Sequence, residues 1–355
     1  MSHTRTTLSP LEQLDLVFSI LKTISAAMVT LLGVPFRGAS GHPKAMKHVI
    51  HTALRVMNAR ASAKQIQNIS ASTDEAYAAF AKAKGFKLTS TNLPEDATAH
   101  WIGSPDAKRI LVVFHGGGFV YPATTQFQFV YDVQKEAGDG TAGIVLSYSL
   151  APGKPYPHQL KQAVALMSYL INEAGKKPED ILLVGDSAGA NLILGVISHL
   201  LHPHPDASIP PLDMNSSLKG VLLVSPWVNF SPVAASYRTN RKKDFVNQQI
   251  LTKWGRYYMG TAALDAYNQP VTANDKWWQG MDTKVRDVLV TSGENEVMFD
   301  DTRAFSETLK QSFPSLEVQF VKGETHDQLF MDPVVGEKVV SDSAKIIKSW
   351  VLARL

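Results

Sequence analysis

The 355-residue chain contains no cysteine. That excludes a disulfide framework and a thiolate nucleophile, and it fits the reducing conditions of the cytoplasm. Charge imbalance is lacking too: 35 basic against 32 acidic residues leave +3, and the one short basic cluster, Arg241-Lys242-Lys243, reads as solvated surface. So small a balance argues against nucleic acid as a partner. There is no internal repeat and no low-complexity tract, and His202-Pro203-His204-Pro205 stands without a further ligand cluster, so it reads as a proline-bounded loop rather than a metal site. Nothing in the pattern calls for a metal or an organic cofactor. What remains, 45% hydrophobic and 19% charged residues, is an ordinary globular composition on a chain long enough to bury a large core.

Long apolar runs are scarce as well. The one that stands out, Leu16 to Val34, is interrupted by Lys22, and Asp15, Ser19 and Lys22 share one side at helical spacing. Leu14, Val17, Leu21, Ile24, Met28 and Leu31 recur at steps of three or four, which predicts an amphipathic helix laying that stripe on a surface. Peripheral membrane contact through this helix is one partner the pattern allows, and a membrane span is the lesser reading, since a span calls for about 20 mainly apolar residues with few charges. A signal peptide is disfavoured by acidic residues before the run and by the lack of a small-residue cleavage site. At the other end Ala353-Arg354-Leu355 has the small-basic-Leu form of a peroxisomal address; its competing reading is the frayed end of a last helix carrying Ile346, Ile347, Trp350 and Val351.

From about residue 86 helical patterning gives way to alternating strand and helix. Phe86-Lys87-Leu88-Thr89 and Ala99-His100-Trp101-Ile102 read as early strands. Short apolar runs then follow at Ile110–Phe114, Gly143–Ser147, Ile181–Val184, Val221–Val224, Val288–Thr291 and Val318–Val321, the signature of strands buried on both faces. Helical patterns between them, such as Leu160, Val164, Met167 and Ile171, imply a mainly parallel α/β sheet with helices on both faces. Two stretches fall outside the repeat: residues 1–85, and an aromatic-rich insertion at 229–280. Both are cap candidates on a catalytic domain formed by residues 86–228 and 281–355.

Two motifs carry chemistry. Gly185-Asp186-Ser187-Ala188-Gly189 follows an apolar strand and opens a helix, so its serine sits on a sharp strand-to-helix turn with the Ala188 amide facing a developing oxyanion. Upstream, His115-Gly116-Gly117-Gly118-Phe119 follows another strand, and its glycines expose N–H groups that a substrate carbonyl can approach closely. A serine hydroxyl needs a base, and that base needs an acid to orient it. Of eleven histidines only His326 follows the serine motif by enough to fit the order Ser, acid, His, since the others all precede residue 205. The acid is chosen among Glu294, Glu296, Asp300 and Asp301; the last two open a helix, where acids also serve as caps, which puts Glu296 first.

With these motifs the chain, over roughly residues 86–355, resembles the hormone-sensitive-lipase-like α/β hydrolases. The resemblance implies the α/β-hydrolase fold with a helical cap, and it implies an oxyanion hole formed by the amides of Gly117, Gly118 and Ala188. In that family the loop after the penultimate strand usually carries an aspartate with a second acid four residues on, a spacing matched here by Glu296 and Asp300, with glutamate in the first place. Two further departures stand out. Tyr148-Ser149-Leu150-Ala151-Pro152-Gly153 lacks the two charged members of the usual Tyr-Arg-Leu-Ala-Pro-Glu, and Asp327 replaces the glycine that usually follows the catalytic histidine. Ser225-Pro226-Trp227 resembles the fungal branch that includes steryl acetyl hydrolases and hydrolases of specialised metabolism.

The expectation is a serine carboxylic-ester hydrolase acting on a small-molecule ester, with a small or medium acyl group on an apolar alcohol. Two alternatives share the fold: an enzyme using the same serine and histidine for elimination, condensation or cyclisation, and a binding receptor, against which the retained Ser187 and His326 argue.

Overall fold

The computed structural model describes residues 7–355; the first six residues of the 1–85 region lie outside that description. One sheet contains β1 (Ser90–Asn92), β2 (Thr98–Ile102), β3 (Arg109–Phe114), β4 (Thr141–Ser147), β5 (Ile181–Asp186), β6 (Gly220–Val224), β7 (Val288–Gly293) and β8 (Glu317–Val321). Their spatial order is β1-β2-β4-β3-β5-β6-β7-β8. The pairs β1–β2 and β2–β4 are antiparallel. From β4 across to β8 every pairing is parallel.

The helices are α1 (Pro10–Gly33), α2 (Ala45–Arg60), α3 (Ala63–Ile69), α4 (Thr73–Lys84), α5 (Gln126–Ala137), α6 (His158–Ser168), α7 (Ala188–Leu201), α8 (Ser236–Thr239), α9 (Gln248–Met259), α10 (Phe299–Ser312), α11 (Gln328–Val334) and α12 (Asp342–Leu352). They split the core into two layers. On one face Leu111, Val113, Leu182 and Leu222 pack with Phe127 and Val130 of α5 and with Ile347 and Val351 of α12. On the other, Ile110, Val112, Leu183 and Val221 meet Val164 of α6, Ile193 and Val196 of α7, and Phe305 of α10. Strands covered on both sides cannot alternate polar and apolar residues. The edge strand β8, with one covered face, does alternate in burial.

One reading of the N-terminal third needs correction. Phe86–Thr89 is not a strand; pairing begins at Ser90. Phe86 instead turns its ring into a cluster with Tyr77, Phe80 and Tyr131, which pulls this stretch off the sheet edge. The apolar stripe of α1 faces away from the body: Leu14, Val17, Leu21, Ile24, Met28 and Leu31 are exposed, while Leu16 and Ser19 are buried. The docked side is set by polar anchors, Asp15 with Arg60 and Glu12 with Lys64.

The paired histidines of the proline loop are held by neighbours, His202 Nε2 at the Trp277 carbonyl and His204 Nε2 at the Tyr156 hydroxyl. The C-terminal Arg354 is also engaged: it pairs with Asp287 and Glu317 and lies 3.9 Å over the Trp350 ring.

Candidate active site

The carboxyl ends of β3, β5, β6 and β7 converge on one crevice. At the end of β5 the chain turns into α7 through Ser187, whose φ of 50° lies in the left-handed region. A serine there is strained, and the turn is held from both sides: the Ser187 amide donates to the Val224 carbonyl, and the amide of Trp227 donates to the Ser187 carbonyl. Gly189 makes the bend possible, since a Cβ there would overlap the Phe114 carbonyl oxygen. The result lifts the Ser187 hydroxyl above the sheet.

His326 lies in the loop between β8 and α11, with Nε2 2.9 Å from Ser187 Oγ. Its Nδ1 is 3.1 Å from Glu296 Oε2. The other oxygen of Glu296 accepts from the Ser225 hydroxyl at 2.7 Å and from the Gly293 amide at 2.5 Å. The four candidate acids therefore sort themselves. Glu294 is exposed. Asp300 receives the Ser236 amide, and Asp301 takes the Tyr237 hydroxyl and the Asn229 side chain. Of the four, only Glu296 meets His326. Glutamate's extra methylene reaches the ring while its second oxygen stays anchored to Ser225 and Gly293.

Between β3 and α5 the glycine loop crosses the crevice. Gly117 and Gly118 have φ of 93° and 62°. Their amides donate to no backbone or side-chain acceptor among the described residues, and Ala188, the first residue of α7, has an N–H outside the intrahelical ladder. Gly117 and Gly118 line the same cavity as Ser187, and Ala188 follows it directly in the chain. His115 braces the loop: its ring stacks on Tyr148 at 4.0 Å, and its Nδ1 is 2.8 Å from the Gly116 carbonyl. Burial holds the His115 pKa down to about 4, so the ring stays neutral and its Nδ1–H donates. The stretch after Tyr148, which lacks the family's charged pair, is supported by glutamines of α6. Gln162 receives the Ser149 amide at 2.7 Å, and Gln159 donates to the Ser149 carbonyl at 2.8 Å.

Two carboxylates near His326 were not assigned to the site from sequence. Asp327 has a φ of 48° and puts Oδ2 3.2 Å from His326 Nε2, the same nitrogen that faces Ser187. Asp244 is fully buried and accepts from the amides of Val297 and Phe245. Burial works against an imidazolium at His326, but Asp327, Glu296 and Asp244 outweigh it and hold its pKa up to about 10. Burial likewise drives the Asp327 carboxyl well upward, with Asp186 and Glu296 adding to it and His326 opposing. Asp327 had a sequence signal in its replacement of glycine. Asp244 had none, lying far from Glu296 in the chain.

The crevice opens into a cavity of about 330 Å³. Ser187, His326 and the glycine loop form its floor, and Leu54, Phe245, Leu251, Trp254, Met331 and Val334 form much of its wall. Leu54 comes from α2 and Trp254 from α9, so both stretches outside the strand-helix repeat reach the site. Among the described residues no group of three or more His, Cys, Asp or Glu is placed to hold a metal ion.

Residues 111–330 match the family model described as alpha/beta hydrolase fold. Steryl acetyl hydrolase 1 of Saccharomyces cerevisiae is 28% identical over 209 residues, covering 55% of this chain and 46% of that protein. An acetyl-hydrolase of Streptomyces hygroscopicus is 27% identical over 221 residues, 61% of this chain and 68% of that one. The match thus spans less than half the length of the yeast relative. An esterase of the bacterial hormone-sensitive lipase family superposes with a TM-score of 0.59 at 22% identity, over 80% of this chain and 91% of that one, a likeness of fold. The sheet order, the serine turn at its centre and the family match over most of the chain lead to one assignment: the chain belongs to the alpha/beta hydrolase fold family.

Proposed function

We propose that this protein is a serine carboxylic-ester hydrolase working through an acyl-enzyme. The observation that carries the reading is the continuous relay from Ser187 Oγ to His326 Nε2 at 2.9 Å and from His326 Nδ1 to Glu296 Oε2 at 3.1 Å. In this reading His326 takes the hydroxyl proton as Ser187 attacks the ester carbonyl, and Glu296 holds the ring in the tautomer that leaves Nε2 free to accept it. The carbonyl oxygen becomes an oxyanion facing the amides of Gly117, Gly118 and Ala188, each such donor being worth about 3 kcal/mol in the transition state. His326 then returns its proton to the departing alcohol, and a water repeats the cycle on the acyl-enzyme.

The apolar wall and modest volume of the cavity support a small or medium acyl group on an apolar alcohol, with carboxylates only near the reacting atoms. The names of the yeast and Streptomyces relatives point to acetyl groups among the candidates. The test compares wild type and Ser187→Ala on p-nitrophenyl acetate and butyrate. Turnover is expected to fall by about 10⁴-fold or more with the circular dichroism spectrum unchanged. Retained turnover in the variant would refute the assignment.

A further inference from the structure

Helix α1 presents a broad, exposed apolar surface. Among the described residues, twelve exposed large apolar side chains fall between Leu11 and Phe36, each at least 41% exposed. At about 100° per residue, Leu14, Val17, Leu21, Ile24, Met28 and Leu32 lie with their neighbours on one outward half of the helix. The polar groups have gone the other way. Glu12 pairs with Lys64, Asp15 with Arg60, and Gln65 donates to both the Glu12 carbonyl and Asp15. The hydroxyls of Ser19, Thr23 and Ser25 bond to carbonyls one turn back in the helix itself. Lys22 is the one exposed cation of the helix, on a stem long enough to carry its charge to an aqueous rim.

We infer that α1 is a membrane-surface helix, docked on α2 and α3 by its polar side and lying in the plane of a lipid leaflet with its apolar half among the acyl chains. Three features favour lipid. The apolar arc covers about half the circumference, wider than the seam through which two helices pair. Exposed apolar side chains recur from Leu11 to Phe36, so the apolar character faces outward along the helix. Glu12, Asp15, Ser19, Thr23 and Ser25 are paired with the body or with the helix's own backbone, so few donors on the outer half would be stranded on leaving water. The ion pairs to Arg60 and Lys64 set the orientation, because a helix crossing the bilayer would have to give them up. α2 lies directly beneath α1 and carries Leu54 and Asn58 into the cavity wall, so the leaflet would adjoin the cap over Ser187.

The lack of cysteine makes a direct test simple. Single-cysteine proteins, Leu21→Cys and Met28→Cys on α1 and Lys310→Cys on α10, are labelled with an environment-sensitive fluorophore and mixed with phosphatidylcholine–phosphatidylserine vesicles. The unlabelled wild type and a six-fold variant, Leu14, Val17, Leu21, Ile24, Met28 and Leu32 each →Gln, are floated through a density gradient with the same vesicles. The inference expects wild type to float, the variant to float at least about tenfold less, and only the α1 labels to shift to the blue. Circular dichroism and thermal unfolding check the variant's fold; the Cys-labelled proteins carry the test if it is misfolded. Wild type left at the bottom of the gradient would overturn the inference. So would α1 labels that shift on self-association without vesicles, which would assign the face to a second copy of the chain, or recovery in the pellet after alkaline carbonate washing, which would indicate a spanning helix.

Discussion

His326 Nε2 faces two oxygens, Ser187 Oγ at 2.9 Å and Asp327 Oδ2 at 3.2 Å, and that competition governs the pH behaviour of the site. To serve as base the ring must be neutral at Nε2, whereas the carboxylates around it favour the imidazolium. A raised histidine pKa moves the acid limb of a kcat/KM profile to higher pH; removing negative charge moves it back. Asp327→Asn is therefore expected to shift that limb about one to three units toward acid, as measured with a soluble activated ester. An unmoved limb would show that Asp327 does not raise the histidine's pKa. Glu296 is a different case, because it touches the other ring nitrogen and is itself held by Ser225 and Gly293. Glu296→Gln keeps the size but favours the wrong tautomer, and kcat should fall by about 10³- to 10⁴-fold with the pocket geometry preserved.

At the level of elements, the serine turn depends on how closely β3, β5 and α7 approach one another. A Cβ on Gly189 would overlap the Phe114 carbonyl oxygen, and one on Gly185 would lie 2.6 Å from the Gly189 carbonyl. Gly189→Ala should accordingly lower the thermal midpoint, for a cost of about 1–3 kcal/mol or more, and lower activity with it. An unchanged midpoint would show that the helix can move away freely. These close approaches were legible in the sequence, because glycines at fixed offsets from a strand and a helix have few other uses. The parallel strands were legible for a similar reason: burial on both faces leaves continuous apolar runs. One element misled. Phe86–Thr89 has a strand-like mix of residues, but its aromatic ring found a cluster off the sheet. The amphipathic pattern of α1 was legible, but periodicity does not say which side faces the body; Asp15, Glu12 and Ser19 form the side that docks. The glutamine brace at Ser149 was equally hidden, since it depends on α6 lying beneath a loop.

For the molecule as a whole, the sheet supplies Ser187, Glu296 and His326 from separate loops at one edge, while α2, α9 and α11 close over them. The cavity so formed is mainly apolar, and α1, packed on α2, carries an exposed apolar surface. Enlarging the cavity should change selectivity rather than chemistry. Trp254→Ala is expected to shift the ratio of kcat/KM values toward longer acyl esters in a p-nitrophenyl series, and an unaltered ratio would place the acyl group elsewhere. The central claim is that Ser187 is a nucleophile activated by His326. It is tested most directly by intact-mass and peptide-mapping analysis after exposure to diethyl p-nitrophenyl phosphate. The account predicts one diethylphosphoryl adduct per chain, on Ser187, formed in step with loss of esterase activity and absent from His326→Ala over the same time. Full activity with Ser187 unmodified, or an adduct on a different residue, would contradict it.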